Sequence, residues 1–340
     1  MTSHAQAPPR VPAGTRTALA YWLRGPGLGQ LREEPLPEPG PGEVLVRALH
    51  SGISRGTELL VHRGAVPPAQ ADTMRAPFQS GSFPGPVKYG YLSVGVVAEG
   101  EAALLGRTVF CLHPHQTAYV VPAAAVTVVP PDVPARRAVL AGTVETALNA
   151  LWDLGPLIGD RIAVVGAGMV GCSVARLLAR LPEVDVVLVD VDESRADVAE
   201  RLGVGFAAPE QASGDRDAVV HASATSAGLQ RSLDLLASEG TVLDLSWYGD
   251  RPVEVALGGA FHSARLGIRA SQVGAVAGVR RGRHTHAERL ALALRLLADP
   301  AFDALLSGES PFADLPAVMR AMAAGRLPGL CHTIRYDGSA

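Results

Sequence analysis

The 340-residue chain holds a single lysine, Lys88; the rest of its 30 cationic residues are arginine. Beside abundant alanine, glycine and proline, this arginine bias carries the imprint of a GC-rich genome and needs no functional cause. Cysteine is scarce: Cys111, Cys172 and Cys331 are widely spaced and odd in number. That excludes a disulfide framework and a four-cysteine zinc lobe. No run of 18 uncharged apolar residues occurs, and the opening MTSHAQAPPRVPAGTR has no apolar stretch. Neither a membrane span nor a secretion signal is expected, and the expected location is the cytoplasm. Net charge is −3 with no large basic block, which argues against nucleic acid as a partner. What is present is core-forming material. Hydrophobic residues make up 48% and charged residues 19%, enough for about two domains.

Residues 1–15 are polar and proline-rich and are expected to form a disordered tail. From 17 to 130, short β-like runs alternate with turn residues: GEVLVRAL (42–49), SVGVVAEG (93–100), RTVFCL (107–112) and TAYVVP (117–122). Residues 135–154 switch to helical spacing. Strand and helix then alternate. RIAVVGAG (161–168), VDVVLVDVD (184–192), DAVVHASA (217–224) and TVLDLSWYG (241–249) are expected strands; 169–181, 193–203 and 229–240 are expected helices. This alternation implies a doubly wound parallel sheet, so the fold class is α/β with a β-rich first half. Helices return over 288–299 and 314–325, and CHTIRY (331–336) reads as a closing strand.

The clearest motif follows the strand RIAVV: Gly166-Ala167-Gly168-Met169-Val170-Gly171, opening the next helix. The first glycine permits a tight turn. The second lets backbone N–H groups approach a pyrophosphate at the positive helix end, and the third lets helix and strand pack closely. Asp190 ends the following strand, placed to accept from a ribose 2′-hydroxyl and to repel a 2′-phosphate. NAD(H) is therefore the expected cofactor. NADP(H) stays open because Arg195 lies nearby. Ser223, ending the strand 217–224, is a further cofactor-contact candidate.

The order of parts resembles the medium-chain dehydrogenase/reductase family, over roughly residues 17–337. EEPLPEPGPGEVLVR (33–47) is similar to that family's opening strands. SGISRGTE (51–58) falls where zinc-bearing members have Gly-x-Cys-x-x-Asp, and GYLSVGVVAEG (90–100) where they have Gly-His-Glu-x-x-Gly-x-Val. The resemblance implies a GroES-like catalytic domain (16–145 with 286–340) and a Rossmann dinucleotide-binding domain (146–285). At the implied zinc-ligand positions this chain has Ser54, Tyr91 and, within one residue, Gly142. A catalytic zinc needs three ligands from Cys, His and carboxylates, so a zinc-independent member is expected, with no metal ligand assigned. SGIS-x-GTE and Gly90-Tyr91 are similar to the hydroxyethyl bacteriochlorophyllide dehydrogenase branch, which implies interconversion of a secondary alcohol and a ketone. The resemblance also implies a homodimer, joined at a sheet edge near VEVALGG (253–259).

Without zinc, another group must polarise the substrate oxygen, a contribution of roughly 10²–10⁴-fold. Tyr91 stands at a ligand position, and Lys88, three residues earlier, is a candidate to lower its pKa. The alternative is a surface lysine beside a tyrosine that only packs. Ser54 is a candidate hydrogen-bond donor. Glu58 is expected to pair with Arg55 as loop scaffolding at the substrate pocket, with a catalytic base as the alternative. Thr146 is a cofactor-contact candidate from the family comparison, and Glu145 a proton-relay candidate. His113, in CLHPHQ, could shuttle a proton or be structural. Trp247 and Tyr248 follow a strand whose end faces the nicotinamide in related proteins, and are pocket-wall candidates. RRGRHTH (280–286) could hold an anionic substrate group or be a solvated loop. The expected function is NAD(H)-dependent alcohol/ketone oxidoreduction on a small molecule. Alternatives are a quinone or enoyl reductase, and a nucleotide-binding redox sensor without turnover.

Overall fold

Near-continuous Val, Ile and Leu runs form the centre of a parallel sheet, because strands covered by helices on both faces have no solvent side to keep polar. The computed structural model describes residues 16–337; the tail expected at 1–15 lies outside them. Strand Arg161–Val165 pairs in parallel with Asp185–Val189 on one side and Arg216–His221 on the other. Across the sheet the order is Gly205–Ala207, Asp185–Val189, Arg161–Val165, Arg216–His221, Leu236–Asp244, Gly267–Ala270. Chain order reverses at Arg161–Val165. This opens a crevice beyond the carboxyl ends of the central strands, the usual binding place in such sheets.

The β-rich half is antiparallel. Strand Glu43–Gly52 is its spine and pairs with Ser93–Gly100, Ala118–Pro122 and Cys331–Arg335. The hairpin Thr17–Leu23/Gly29–Pro35 belongs to a separate small sheet. Cys331–Arg335 thus returns the chain's last described stretch to its first half, as the resemblance implies. Helix Ala141–Leu154 packs between the two halves, against helices Met169–Leu178 and His286–Leu296.

Two local expectations need correction. Residues 135–154 form two helices, Ala135–Ala138 and Ala141–Leu154. The helix expected over 229–240 ends at Asp234, and residues from 236 open strand Leu236–Asp244. There, pairing with Arg216–His221 outweighs local helix preference. VEVALGG itself forms no strand; the sheet's edge strands are Gly205–Ala207 and Gly267–Ala270, the second of which follows VEVALGG in the chain. Pro252, which has no N–H to donate, and the Gly258-Gly259 pair interrupt any ladder there.

Candidate active site

A cleft of about 1340 Å³ runs from the phosphate loop to the first helix of the β-rich half, Arg55–His62. At its sheet end lie Gly166, Gly168, Met169, Val170, Asp190, Arg195 and Ser223. The glycines act in three different ways. Gly166 has φ +107° and a Cβ there would come within 2.7 Å of the Ser223 nitrogen. A Cβ at Gly171 would fall 1.9 Å from the Gly166 carbonyl oxygen, so only glycine lets the helix sit this close. A Cβ at Gly168 would meet nothing within 4 Å: it would fill the open cradle itself. No side chain caps the helix that starts at Met169. Its N–H groups and positive end are therefore available to an anion, and the cradle fits a dinucleotide pyrophosphate. The Asp190 carboxylate accepts from the Ala167 N–H (2.6 Å) and the Asp192 N–H (2.9 Å), which fixes it at the rim. Arg195 pairs with Asp192 (3.2 Å).

At the other end, Ser54 and Thr57 line the cleft with Thr143. Tyr91 sits behind them, and its hydroxyl donates to Ser54 Oγ at 2.6 Å. Burial pushes the Tyr91 hydroxyl up to about 12, opposed by its hydrogen bond to Ser54 and by the neighbouring Thr57 hydroxyl. A buried chain anchors the Ser54 backbone. Glu58 accepts from the Ser54 N–H (2.8 Å) and bonds His115 Nε2 (2.9 Å), while His115 Nδ1 bonds Ser51 Oγ (2.7 Å), which meets the Tyr336 hydroxyl (2.9 Å).

No protein-family model matches the sequence. Among curated relatives, the chain is 30% identical over 230 residues to an L-threonine 3-dehydrogenase of Saccharopolyspora erythraea, covering 59% of this chain and 64% of the relative. It is 34% identical over 185 residues to a 2-desacetyl-2-hydroxyethyl bacteriochlorophyllide A dehydrogenase of Cereibacter sphaeroides, covering 48% and 52%. The matched region thus spans less than two thirds of these relatives' length. Among solved structures, L-idonate 5-dehydrogenase from Escherichia coli shares the fold with a TM-score of 0.78 at 16% identity, covering 94% of this chain and 99% of that one. A short chain alcohol dehydrogenase from E. coli complexed with NADH has a TM-score of 0.74 at 16% identity, covering 95% and 100%. The chain has the fold of the medium-chain dehydrogenases, a GroES-like half joined to a Rossmann sheet.

The catalytic zinc that the family resemblance brings into question does not fit the residues present. Among the described residues, no group of three or more His, Cys, Asp or Glu side chains could hold a metal ion. The position expected for a third ligand is Gly142, where a Cβ would come within 2.7 Å of the fully buried Leu92 side chain. Apolar packing has taken that space. Glu58 and His115 are engaged with each other. All three cysteines are buried, which pushes each thiol up to about 12.

Several candidates from the sequence lie elsewhere. Lys88 does not serve Tyr91: its ammonium donates to Glu34 (2.6 Å) and Gln116 (2.9 Å) and lies 5.9 Å from the centroid of the Trp22 ring. The Tyr91 hydroxyl is accordingly raised, where a neighbouring cation would lower it. Glu145 takes a hydrogen bond from Arg289 Nε (3.0 Å) inside the helix packing, outside the cleft lining. The Thr146 hydroxyl turns back to the Gly142 carbonyl (2.9 Å), and Thr143, one turn earlier, lines the cleft instead. His113 stacks on Tyr119 at 3.7 Å, and burial lowers its pKa to about 3, so it stays neutral and away from the cleft. Glu58 pairs with His115, not with Arg55; Arg55 lines the cleft and donates to the Gly329 carbonyl (2.9 Å). Trp247 lines the cleft, but Tyr248 turns inward and donates to Asp244 (2.8 Å). In RRGRHTH, His284 stacks on Trp152 at 5.0 Å, also outside the cleft lining.

Sequence reasoning missed Thr57, Thr143, and His115 as the partner of Glu58. Thr57 stands three residues after Ser54, one helical turn on, a spacing that could have flagged it. The His115–Glu58 contact bridges 57 residues and left no local signal.

Proposed function

We propose that the protein is an NAD(H)-dependent oxidoreductase that interconverts a secondary alcohol and a ketone without a catalytic zinc. One observation carries the reading: the dinucleotide cradle and the Tyr91–Ser54 hydroxyl pair serve a single cleft, one at each end. A nicotinamide bound there would donate or accept the hydride. Ser54 Oγ accepts a hydrogen bond from the Tyr91 hydroxyl, so its own O–H is free to donate to a substrate oxygen. In the reductive direction that hydrogen bond stabilises the alkoxide formed by hydride delivery, as an oxyanion-hole donor does, and the alkoxide then takes its proton from bulk water at the cleft mouth, the reverse path releasing it there on oxidation. Tyr91 stays protonated at neutral pH and acts as a fixed donor to Ser54, not as a base. The choice of NAD(H) over NADP(H) rests on Asp190 at the rim, with Arg195 engaged by Asp192.

The test is a panel of secondary alcohols, ketones, quinones and enones, assayed with both nicotinamides and with metal analysis. Oxidation of a secondary alcohol with NAD⁺ is expected. Ser54→Ala should lower kcat/KM by about 10²-fold, the usual loss for one oxyanion donor. Tyr91→Phe should lower it by roughly tenfold, with NADH affinity unchanged in both variants. Wild-type kcat in Ser54→Ala, or zinc bound at one equivalent in this cleft, would sink the proposal.

A further inference from the structure

Behind the cofactor end of the cleft lies a hydroxyl–imidazole–carboxylate chain that the reaction above does not use. His221 ends strand Arg216–His221 and is fully buried; Asp244 ends the adjacent strand. His221 Nδ1 meets Asp244 Oδ1 at 2.9 Å, and His221 Nε2 meets Ser223 Oγ at 2.7 Å. Asp244 also accepts from the Ser246 N–H (2.9 Å) and the Tyr248 hydroxyl (2.8 Å). Burial opposes its ionisation, but these bonds and that to His221 outweigh it and hold the carboxyl below its ordinary value.

The proton positions follow. An ionised carboxylate only accepts, so a neutral imidazole here carries its proton on Nδ1 and leaves Nε2 bare. The Ser223 hydroxyl must then donate inward to Nε2. Thr225 Oγ1 accepts from the Gly228 N–H and lies 3.0 Å from Ser223 Oγ, so its own proton can go to Ser223. Ser223 is left facing the cleft as an acceptor.

Its place in the sheet says what it faces. Asp190 follows the strand on one side of Arg161–Val165, and Ser223 follows the strand on the other. A dinucleotide with its adenosine ribose at Asp190 and its pyrophosphate at the loop carries its second ribose to the Ser223 side. We infer that His221 and Asp244 are positioning residues that hold Ser223 Oγ as the acceptor for a hydroxyl of the nicotinamide ribose. This rests on the dinucleotide reading above.

The experiment compares NADH with ADP, which carries only the adenosine end, by titration calorimetry. Ser223→Ala should weaken NADH about three- to tenfold, one neutral hydrogen bond, and leave ADP unchanged. His221→Asn, whose amide reaches Asp244 but not Ser223, should do the same. The double variant should be within about twofold of the worse single one, because both act through one contact. ¹⁵N NMR of the wild type should show His221 protonated on Nδ1 and bare on Nε2, a readout independent of any variant's folding. An Nε2–H tautomer, unchanged NADH affinity in Ser223→Ala, or equal weakening of ADP would each overturn the inference. Wild-type protein that binds ADP but not NADH would overturn the dinucleotide reading beneath it.

Discussion

Glu145 separates a structural from a chemical role, and its replacement by glutamine tests which it has. The carboxylate and Arg289 are 7% and 1% exposed and join helix Ala141–Leu154 to helix His286–Leu296. Removing one charge of a buried pair typically costs about 3–5 kcal/mol, because the other is left uncompensated away from water. Arg289 keeps its bonds to Asn149 Oδ1 and to the Ala275 carbonyl, which puts the loss at the lower end, about 3 kcal/mol. At roughly 2 °C per kcal/mol for a chain of this size, Tm should fall by about 6 °C. Scanning calorimetry of Glu145→Gln at neutral pH measures this. Because Glu145 does not line the cleft, kcat at 25 °C should stay within about twofold of wild type. An unmoved Tm with a tenfold loss of kcat would refute the assignment and restore Glu145 as a proton carrier.

Gly168→Ala should keep the wild-type Tm yet weaken NADH at least tenfold, because its methyl occupies the cradle and touches nothing else. Gly171→Ala should lower both Tm and affinity, since its methyl collides with the Gly166 carbonyl; equal behaviour of the two variants in melting and titration would contradict this. Lys88→Met should destabilise by about 3 kcal/mol by stranding Glu34, and leave the pH–rate profile where it is; a shifted profile would return Lys88 to the chemistry. Asp303 is held below the usual carboxylate range by hydrogen bonds from Arg137, so its contribution is complete above the unfolded carboxyl's ordinary value near 4 and fades as pH falls through the lower folded one. Asp303→Asn should therefore flatten the acid limb of a Tm-against-pH curve, and an unchanged limb would show that the pair contributes nothing.

The sheet was legible because its signals are local. RIAVV followed by Gly166, Gly168 and Gly171 reports a buried strand, a tight turn and a close helix through residues adjacent in the chain. The same locality explains where the reading slipped. Residues 236–240 follow a helix without a break, and only pairing with Arg216–His221 makes them strand. Trp247 and Tyr248 are neighbours at the end of one strand, yet one lines the cleft and the other turns in to Asp244, a choice set by a partner four residues back.

The site was legible by position and not by partnership. Motif alignment could place Ser54 and Tyr91 because it fixes where a residue stands; what each touches depends on segments that sequence distance hides. Lys88 shows this most sharply. Three residues from Tyr91, it invites a pairing that the fold spends elsewhere. Strand Val87–Lys88 joins the small sheet, and the ammonium meets Glu34, from 54 residues upstream, and Gln116, from 28 downstream. A compact ammonium satisfied by two oxygens beside Trp22 accounts for lysine at this one place by packing alone. With Lys88 spoken for, no cation is among the influences on the Tyr91 hydroxyl, which stays protonated up to about 12. A tyrosine held that way can only pass its proton's polarity on to Ser54. In the proposed reaction the chemistry of the cleft therefore begins at the serine, on the position where the family resemblance would put a zinc-ligating cysteine.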